Sequence, residues 1–395
     1  MSGFDEAFDR LLDDEQSIER FDRAGTLRAL AGAGAQVRVA ARVSDEAGIG
    51  RLSGLEPRGV VVAAAGGSAA VADLFDALTR GGSAVPVQAC AAGPLPGWVG
   101  ALDLVIAVSQ SGRSSGALAL AAEAGRRGAS LLTVGAADSP LAQVCAQARG
   151  IHVPIRVEGA SSRTSMWAQA TPALMAADVL GLASVPMATI AALADVLDER
   201  AQQAGPSSES FSNPAKLLAA EVAESVPIVL GSGSFGGVAA RRAAEMFGRT
   251  GRVPIASGVL PDSASQIVAC FDGPLAAGGA GAGEADGIFA DPYLDGPARA
   301  PLRLVMLRDS SDEGGRASDE ARAGRLLTDT VVSAAADAGV RVSLVDAPQA
   351  DPLLRLAAHV AVTDFAATYL AIGHGFDPST SPHVTLLRGT RGSLR

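Results

Sequence analysis

Three short apolar runs in this chain end in clusters of glycine and serine, each followed by a stretch compatible with a helix. Arg58-Gly-Val-Val-Val-Ala-Ala-Ala65 runs into Gly66-Gly67-Ser68, Leu102 to Val108 into Ser109-Gln-Ser-Gly-Arg-Ser-Ser115, and Pro227-Ile-Val-Leu230 into Gly231-Ser-Gly-Ser-Phe-Gly-Gly237. Runs this short and this apolar suit strands covered on both faces, as in parallel sheets. Further candidate strands are Val85-Pro-Val-Gln88, Ser130 to Val134, Leu302 to Leu307 and Val340 to Val345, with Ile255-Ala256 and Ile267 to Phe271 as shorter ones. Helical stretches alternate with them: Ala69 to Thr79, Ala117 to Arg127, Ser165 to Leu197, Asn213 to Val226, Val238 to Phe247 and Ala350 to Gly375. The alternation predicts α/β architecture, with parallel sheets flanked by helices. Because the pattern occurs twice, it predicts two similar halves in tandem.

The expected boundaries are an N-terminal helical segment over 1–33, with Phe8, Leu11, Leu12 and Ile18 as apolar points, a first domain over 34–200, a linker helix region over 201–225 and a second domain over 226–395. Gly273 to Pro301, rich in Gly and Ala with acids between, reads as a surface insertion.

Composition narrows the function classes. The 395 residues carry a formal net charge of −10 and only 4% aromatic residues, a poor match to a nucleic-acid binder. Cys90, Cys145 and Cys270 are far apart and form no CxxC pair. A reducing cytoplasm is therefore expected, without a disulfide framework or a metal site. The acidic N-terminus does not read as a signal peptide. Asp178, Pro186 and Asp195 interrupt the long apolar region from Met175 to Leu197, so packed helices are expected there and not a membrane span.

The two glycine–serine turns of the first half fall at the carboxyl ends of strands, where open α/β sheets bind ligands. Glycine lets the backbone approach an anion, and a helix start supplies N–H donors. Ser109, Ser111 and Ser114 add hydroxyls, so the pattern predicts a phosphate cradle from Gly66, Gly67, Ser68, Ser109, Ser111, Gly112 and Ser114. Helix capping by the same residues is the structural alternative. Neither turn has the lysine of a nucleotide P-loop. The chain's one lysine is Lys216. Gly231 to Gly237 contains a loose GxGxxG, a weak dinucleotide signal with no acidic partner at the right distance.

The order of GGS, SxSGxS and a helix–strand pair resembles the SIS (sugar isomerase) domain. The whole chain resembles the bifunctional phosphoglucose/phosphomannose isomerase family, which has two such domains in tandem. Arg163, in Val153 to Arg163, matches that family's Pro-Arg segment, with Ser162 in the proline position. Gly237-Val-Ala-Ala-Arg241, Arg252-Val-Pro254, Leu260-Pro261, Asp364-Phe-Ala-Ala-Thr-Tyr-Leu-Ala371 and Gly375-Phe-Asp-Pro378 fall where its second-domain motifs lie. The resemblance implies flavodoxin-like SIS domains, a sugar phosphate as small-molecule ligand, no cofactor, and a homodimer. It places Ser68, Ser109, Ser111 and Ser114 on the phosphate and Arg163 near the sugar. The family's last loop hydroxyl falls on Ala117.

The family's catalytic residues fare differently. Arg249 stands in the position of the base glutamate, and Leu260-Pro-Asp-Ser-Ala-Ser-Gln266 lacks the histidine. Arg388 takes the place of the C-terminal lysine. Glu245, Asp262, His374 and His383 are the available substitutes, with Glu245 and His383 the first pair to test. Arg249 and Arg252 together suggest a second anionic group in the cleft. The implied activity is glucose-6-phosphate/mannose-6-phosphate isomerisation through an enediolate with a divergent site, carried by Glu245, His383, Arg388 and Arg163. The alternative is a catalytically inactive phosphosugar-binding regulator or partner protein.

Overall fold

The computed structural model describes residues 3–156, 161–276, 301–309, 319–348 and 350–393. In chain order its elements are α1 (Gly3–Asp13), α2 (Glu15–Phe21), α3 (Thr26–Ala31), α4 (Ala33–Glu46), β1 (Val60–Ala64), α5 (Ala69–Thr79), β2 (Val87–Cys90), β3 (Leu104–Ser109), α6 (Ser115–Arg126), β4 (Ser130–Gly135), α7 (Pro140–Gln147), β5 (Ile151–Pro154), α8 (Met166–Val179) and α9 (Met187–Gln203). Then follow α10 (Pro214–Ala223), β6 (Val226–Ser232), α11 (Gly233–Met246), β7 (Ala256–Leu260), α12 (Ala264–Ala269), β8 (Leu302–Asp309), α13 (Asp319–Asp337), β9 (Arg341–Ala347), α14 (Pro352–Gly373) and α15 (Pro382–Ser393). The chain divides into two compact units, residues 28–201 and residues 1–27 with 202–395.

The first unit is built on a five-stranded sheet of order β2-β1-β3-β4-β5, parallel throughout. Every residue of β1 and β3 is buried, which explains their unbroken apolar sequences: helices cover both faces. Leu120, Ala121 and Ala124 of α6 pack with Val105, Ala107 and Leu131 in one core cluster.

The second unit repeats the plan with a four-stranded parallel sheet of order β7-β6-β8-β9. Its inner strands match the order of the first sheet, so the two-halves expectation holds at the level of topology. Ile228, Leu230, Leu304 and Met306 form its core with Ile267, Phe271 and Val331. Helix α14 is long and apolar enough to cross a bilayer, but 94% of that stretch is buried inside the protein. There it packs against α10 and α11, as a core helix does.

The expected amphipathic helix over Phe4 to Ala33 is instead a series of short ones. Asp14 caps α2 by accepting from the Ser17 N–H at 3.0 Å. Asp22 ends α2 and takes the N–H groups of Thr26 and Leu27 at 2.7 and 2.8 Å. These aspartates compete with the helical backbone for donors and break the run. The candidate strand Ile267 to Phe271 is also corrected: it is α12 and a 3₁₀ turn. Ile267 and Phe271, four residues apart, share the buried face.

Helix α11 begins at Gly233, ahead of the expected start. The glycine spacing there serves packing. A Cβ on Gly231 would lie 2.1 Å from the Gly236 carbonyl oxygen, and one on Gly237 would lie 2.9 Å from Val259. Close seating of α11 on β6 and β7 accounts for the loose GxGxxG without a dinucleotide. Of the Gly273 to Pro301 insertion, residues 277–300 lie outside the described residues.

Candidate functional site

In a sheet of order 2-1-3-4-5 the connections reverse direction between β1 and β3, and a crevice opens at the carboxyl ends of those strands. Ala64 pairs with Val108, so Gly66-Gly67-Ser68 and the 109–115 turn leave the sheet side by side. Gly66 and Gly112 take left-handed φ values of 59° and 63°, which glycine alone adopts freely. At Gly112 space also demands it: a Cβ would meet the Ser139 Oγ at 2.1 Å. Ser139 is fixed by donating to the Ala136 carbonyl at 2.6 Å while capping α7.

The hydroxyls of the turn fall into two kinds. The Ser114 N–H donates to the Ser109 Oγ and the Arg113 N–H to the Ser111 Oγ, each at 3.3 Å. Both oxygens act as acceptors within the turn, leaving the hydroxyl hydrogen of each as a donor. Ser111 is exposed and Ser109 almost fully buried. Ser114 occupies the N-cap of α6 in extended conformation without a side-chain cap bond. The first-turn N–H groups of α6 therefore receive no capping oxygen from it, the arrangement that accepts an anion. Arg113 is exposed beside them.

Ser68 differs. It is 4% exposed and donates its hydroxyl to the Gln169 Oε1 at 2.6 Å. Its side chain is thus engaged with Gln169 on α8. Gln169 was not among the residues singled out from sequence. The one signal for it is an amide in Met166–Val179, a helix otherwise of apolar and small residues. The approach of the turn 161–165 to Gly67 was not read from sequence: a Cβ on Gly67 would lie 2.4 Å from the Ser162 Oγ. Arg163 sits half-buried in that turn, its N–H donating to the Ser161 Oγ at 3.3 Å.

Behind the cradle lies His152. Its Nε2 faces the Ala136 carbonyl at 3.2 Å and its Nδ1 the Thr133 hydroxyl at 2.7 Å. A carbonyl can only accept, so Nε2 carries a hydrogen, and in the neutral ring Nδ1 then accepts from Thr133. Burial holds its pKa below the ordinary histidine value. Burial likewise raises that of the Cys145 thiol on α7.

The candidate catalytic residues of the second unit are spread over several elements. Glu245 is exposed on α11, just before the π-helical turn Phe247–Gly251 that carries half-buried Arg249. His383 is exposed in the first turn of α15. Arg388 lies on the same helix, and its side chain is outside the described residues. Asp262 is exposed after β7. His374 is held structurally, with Nδ1 at 2.8 Å from the Leu370 carbonyl and its ring between Phe8 and Phe376. Arg252 donates to the carbonyls of Asp377, at 2.8 Å, and Thr380, and covers the Phe376 ring at 4.6 Å. These contacts fasten the turn after α14.

The motif residue Asp364 pairs with Arg242, the neighbour of the Arg241 expected from the motif. The Arg242 Nε and Nη2 donate to the two carboxylate oxygens at 3.1 and 2.8 Å, and both side chains are buried. Among the described residues no group of three or more His, Cys, Asp or Glu side chains is arranged to hold a metal ion.

Residues 211–390 match the model of the bacterial phospho-glucose isomerase C-terminal SIS domain. The second half of this chain is similar to that domain, in divergent form. Solved structures extend the likeness to both SIS domains. A hypothetical protein from Thermus thermophilus superposes with TM-score 0.66 at 16% identity, covering 99% of this chain and 97% of that one. A glucose-6-phosphate isomerase like protein from the same organism gives TM-score 0.51 at 18% identity over 93% and 94% of the two chains. The C-terminal domain of glucosamine-fructose-6-phosphate aminotransferase from Francisella tularensis gives 0.56 at 12% identity over 89% and 96%. At such identities the likeness establishes the fold. No curated protein sequence matches the chain.

Proposed function

We propose that the first SIS domain binds the phosphate of a hexose 6-phosphate and that the chain interconverts glucose 6-phosphate or mannose 6-phosphate with fructose 6-phosphate. The observation that carries the binding is the 109–115 turn: a left-handed Gly112 backed against Ser139, Ser109 and Ser111 with hydroxyl hydrogens to donate, and a helix start without a side-chain cap. Each hydrogen bond to a charged oxygen contributes about 1.5–3 kcal/mol, so a few such donors hold a phosphate without lysine. The names of two structural relatives, one for glucose 6-phosphate and one for fructose 6-phosphate, point to the same ligand class.

In the isomerisation a base removes the C2 proton of the open-chain aldose, giving the enediolate. The proton returns at C1, and the hydroxyl proton passes from O2 to O1, so nothing is gained or lost overall. Arg163 is the cation for the enediolate oxygens and Arg388 a second fixed positive charge, with Glu245 and His383 the candidates for moving protons. A homodimer in a reducing cytoplasm is the form we assign to the active protein. Arg249 in the place of the family's glutamate, together with the structural role of His374, favours a second reading: the chain binds sugar phosphate and regulates or partners a true isomerase. Incubation with fructose 6-phosphate in deuterated water distinguishes the two. Deuterium appearing at C1, followed by NMR, supports isomerisation; binding without exchange supports the second reading.

A further inference from the structure

We infer that Gln169 is the positioning residue that holds the turn 66–68, through Ser68, in register with the turn 161–165. Gln169 is fully buried on α8. Its Nε2 faces the Ser165 carbonyl and the Ser165 Oγ, each at 3.1 Å, and the Ser162 carbonyl at 3.3 Å. The Ser165 Oγ itself donates to the Ser161 carbonyl at 2.9 Å, so toward Gln169 it acts as an acceptor. Acceptors on that side fix the amide orientation, and the Oε1 faces Ser68. Ser68 must then be the donor, across 2.6 Å.

A separate observation shows that the two turns must stay in register. A Cβ on Gly67 would lie 2.4 Å from the Ser162 Oγ and 2.9 Å from its Cβ, so the turns touch. Gln36 steadies the far side by donating to the Thr164 carbonyl at 2.9 Å. One amide thus links the turn beside the phosphate to the turn that carries Arg163.

This inference depends on the phosphosugar proposal only for its ligand readout. The test is a double-mutant cycle on the full chain, using Ser68→Ala, Gln169→Leu and the pair, with fructose 6-phosphate binding measured by calorimetry. Each single variant is expected to weaken binding about tenfold, and the pair no more than the weaker-binding single variant. Losses that multiply in the pair, or unchanged affinity in Gln169→Leu, would overturn the inference.

Gln169→Glu supplies a pH readout. A buried carboxylate facing carbonyl oxygens is driven toward its protonated form, which restores the donor. Its deficit relative to wild type should shrink as pH falls from about 8 to about 5.5; a constant deficit contradicts the assignment. Hydrogen–deuterium exchange at residues 66–70 and 161–165 reads the link without any ligand. Faster exchange in both turns of Gln169→Leu is expected, and unchanged exchange would overturn it. If wild type binds no sugar phosphate, the phosphosugar proposal fails while this exchange experiment still decides the link.

Discussion

Arg242 and Asp364 show how much a single contact can matter in the interior. Both are buried and joined by two hydrogen bonds. Removing one partner leaves a buried charge uncompensated, at a cost of about 3–5 kcal/mol, whereas replacing both with well-packed apolar residues costs far less. Arg242→Met should therefore lower the urea midpoint sharply, and Arg242→Met/Asp364→Leu should recover part of the loss. A double variant no more stable than the single one would contradict this account. Lys216 is a milder case. It is buried, but donates to Asp13 at 3.1 Å and to the Pro206 carbonyl at 3.0 Å. For Asp13, burial raises the pKa, but bonds from Ser210 and Lys216 outweigh it and leave it lowered.

His152 makes a pH prediction at the same scale. Its folded pKa lies below its unfolded value, because burial disfavours the charged ring. Above the unfolded pKa, about 6.5, both states are neutral and the contribution to stability is complete. As pH falls below that value the unfolded chain takes up the proton first, so stability is lost progressively down to the folded pKa. Unfolding free energies at about pH 7.5 and about pH 5.5 should differ more for wild type than for His152→Gln. An equal difference in the two would remove His152 from the explanation.

At the scale of elements, the turn between β3 and α6 depends on glycine for two reasons that coincide at Gly112, its φ of 63° and the 2.1 Å approach to Ser139. Gly112→Ala should keep the fold, since α6 is anchored by Leu120, Ala121 and Ala124, yet lose most sugar-phosphate affinity. Wild-type affinity in that variant would remove the turn from the site. This turn was legible in the sequence because an apolar strand that runs into Ser and Gly marks a strand-to-helix turn. Strands β1, β3 and β4 and helix α5 were legible for the same reason: burial on both faces leaves unbroken apolar runs. Other elements were not. β5 has four residues, too few to show a period. The breaks at Asp14 and Asp22 depend on which backbone donors an aspartate captures, and amphipathic spacing does not report that. Gln169 was illegible because its partner on the other turn, Ser68, is distant in sequence.

For the whole molecule, the inner strands of the two sheets share their order, and the third strand of the first sheet runs into the serine-rich turn 109–115. In the second domain the corresponding strand ends at Asp309, whose carboxylate lies 3.4 Å from Arg355 and 3.7 Å from buried His359. The scaffold thus occurs twice, and the second unit carries Glu245, Arg249, His383 and Arg388. The central claim is that the 109–115 turn holds the phosphate of a hexose 6-phosphate. Calorimetric titration of fructose 6-phosphate into wild type and Ser109→Ala/Ser111→Ala tests it most directly. The account predicts saturable binding by wild type and a loss of about a hundredfold or more in the double variant; equal binding by both proteins, or none by wild type, would contradict it.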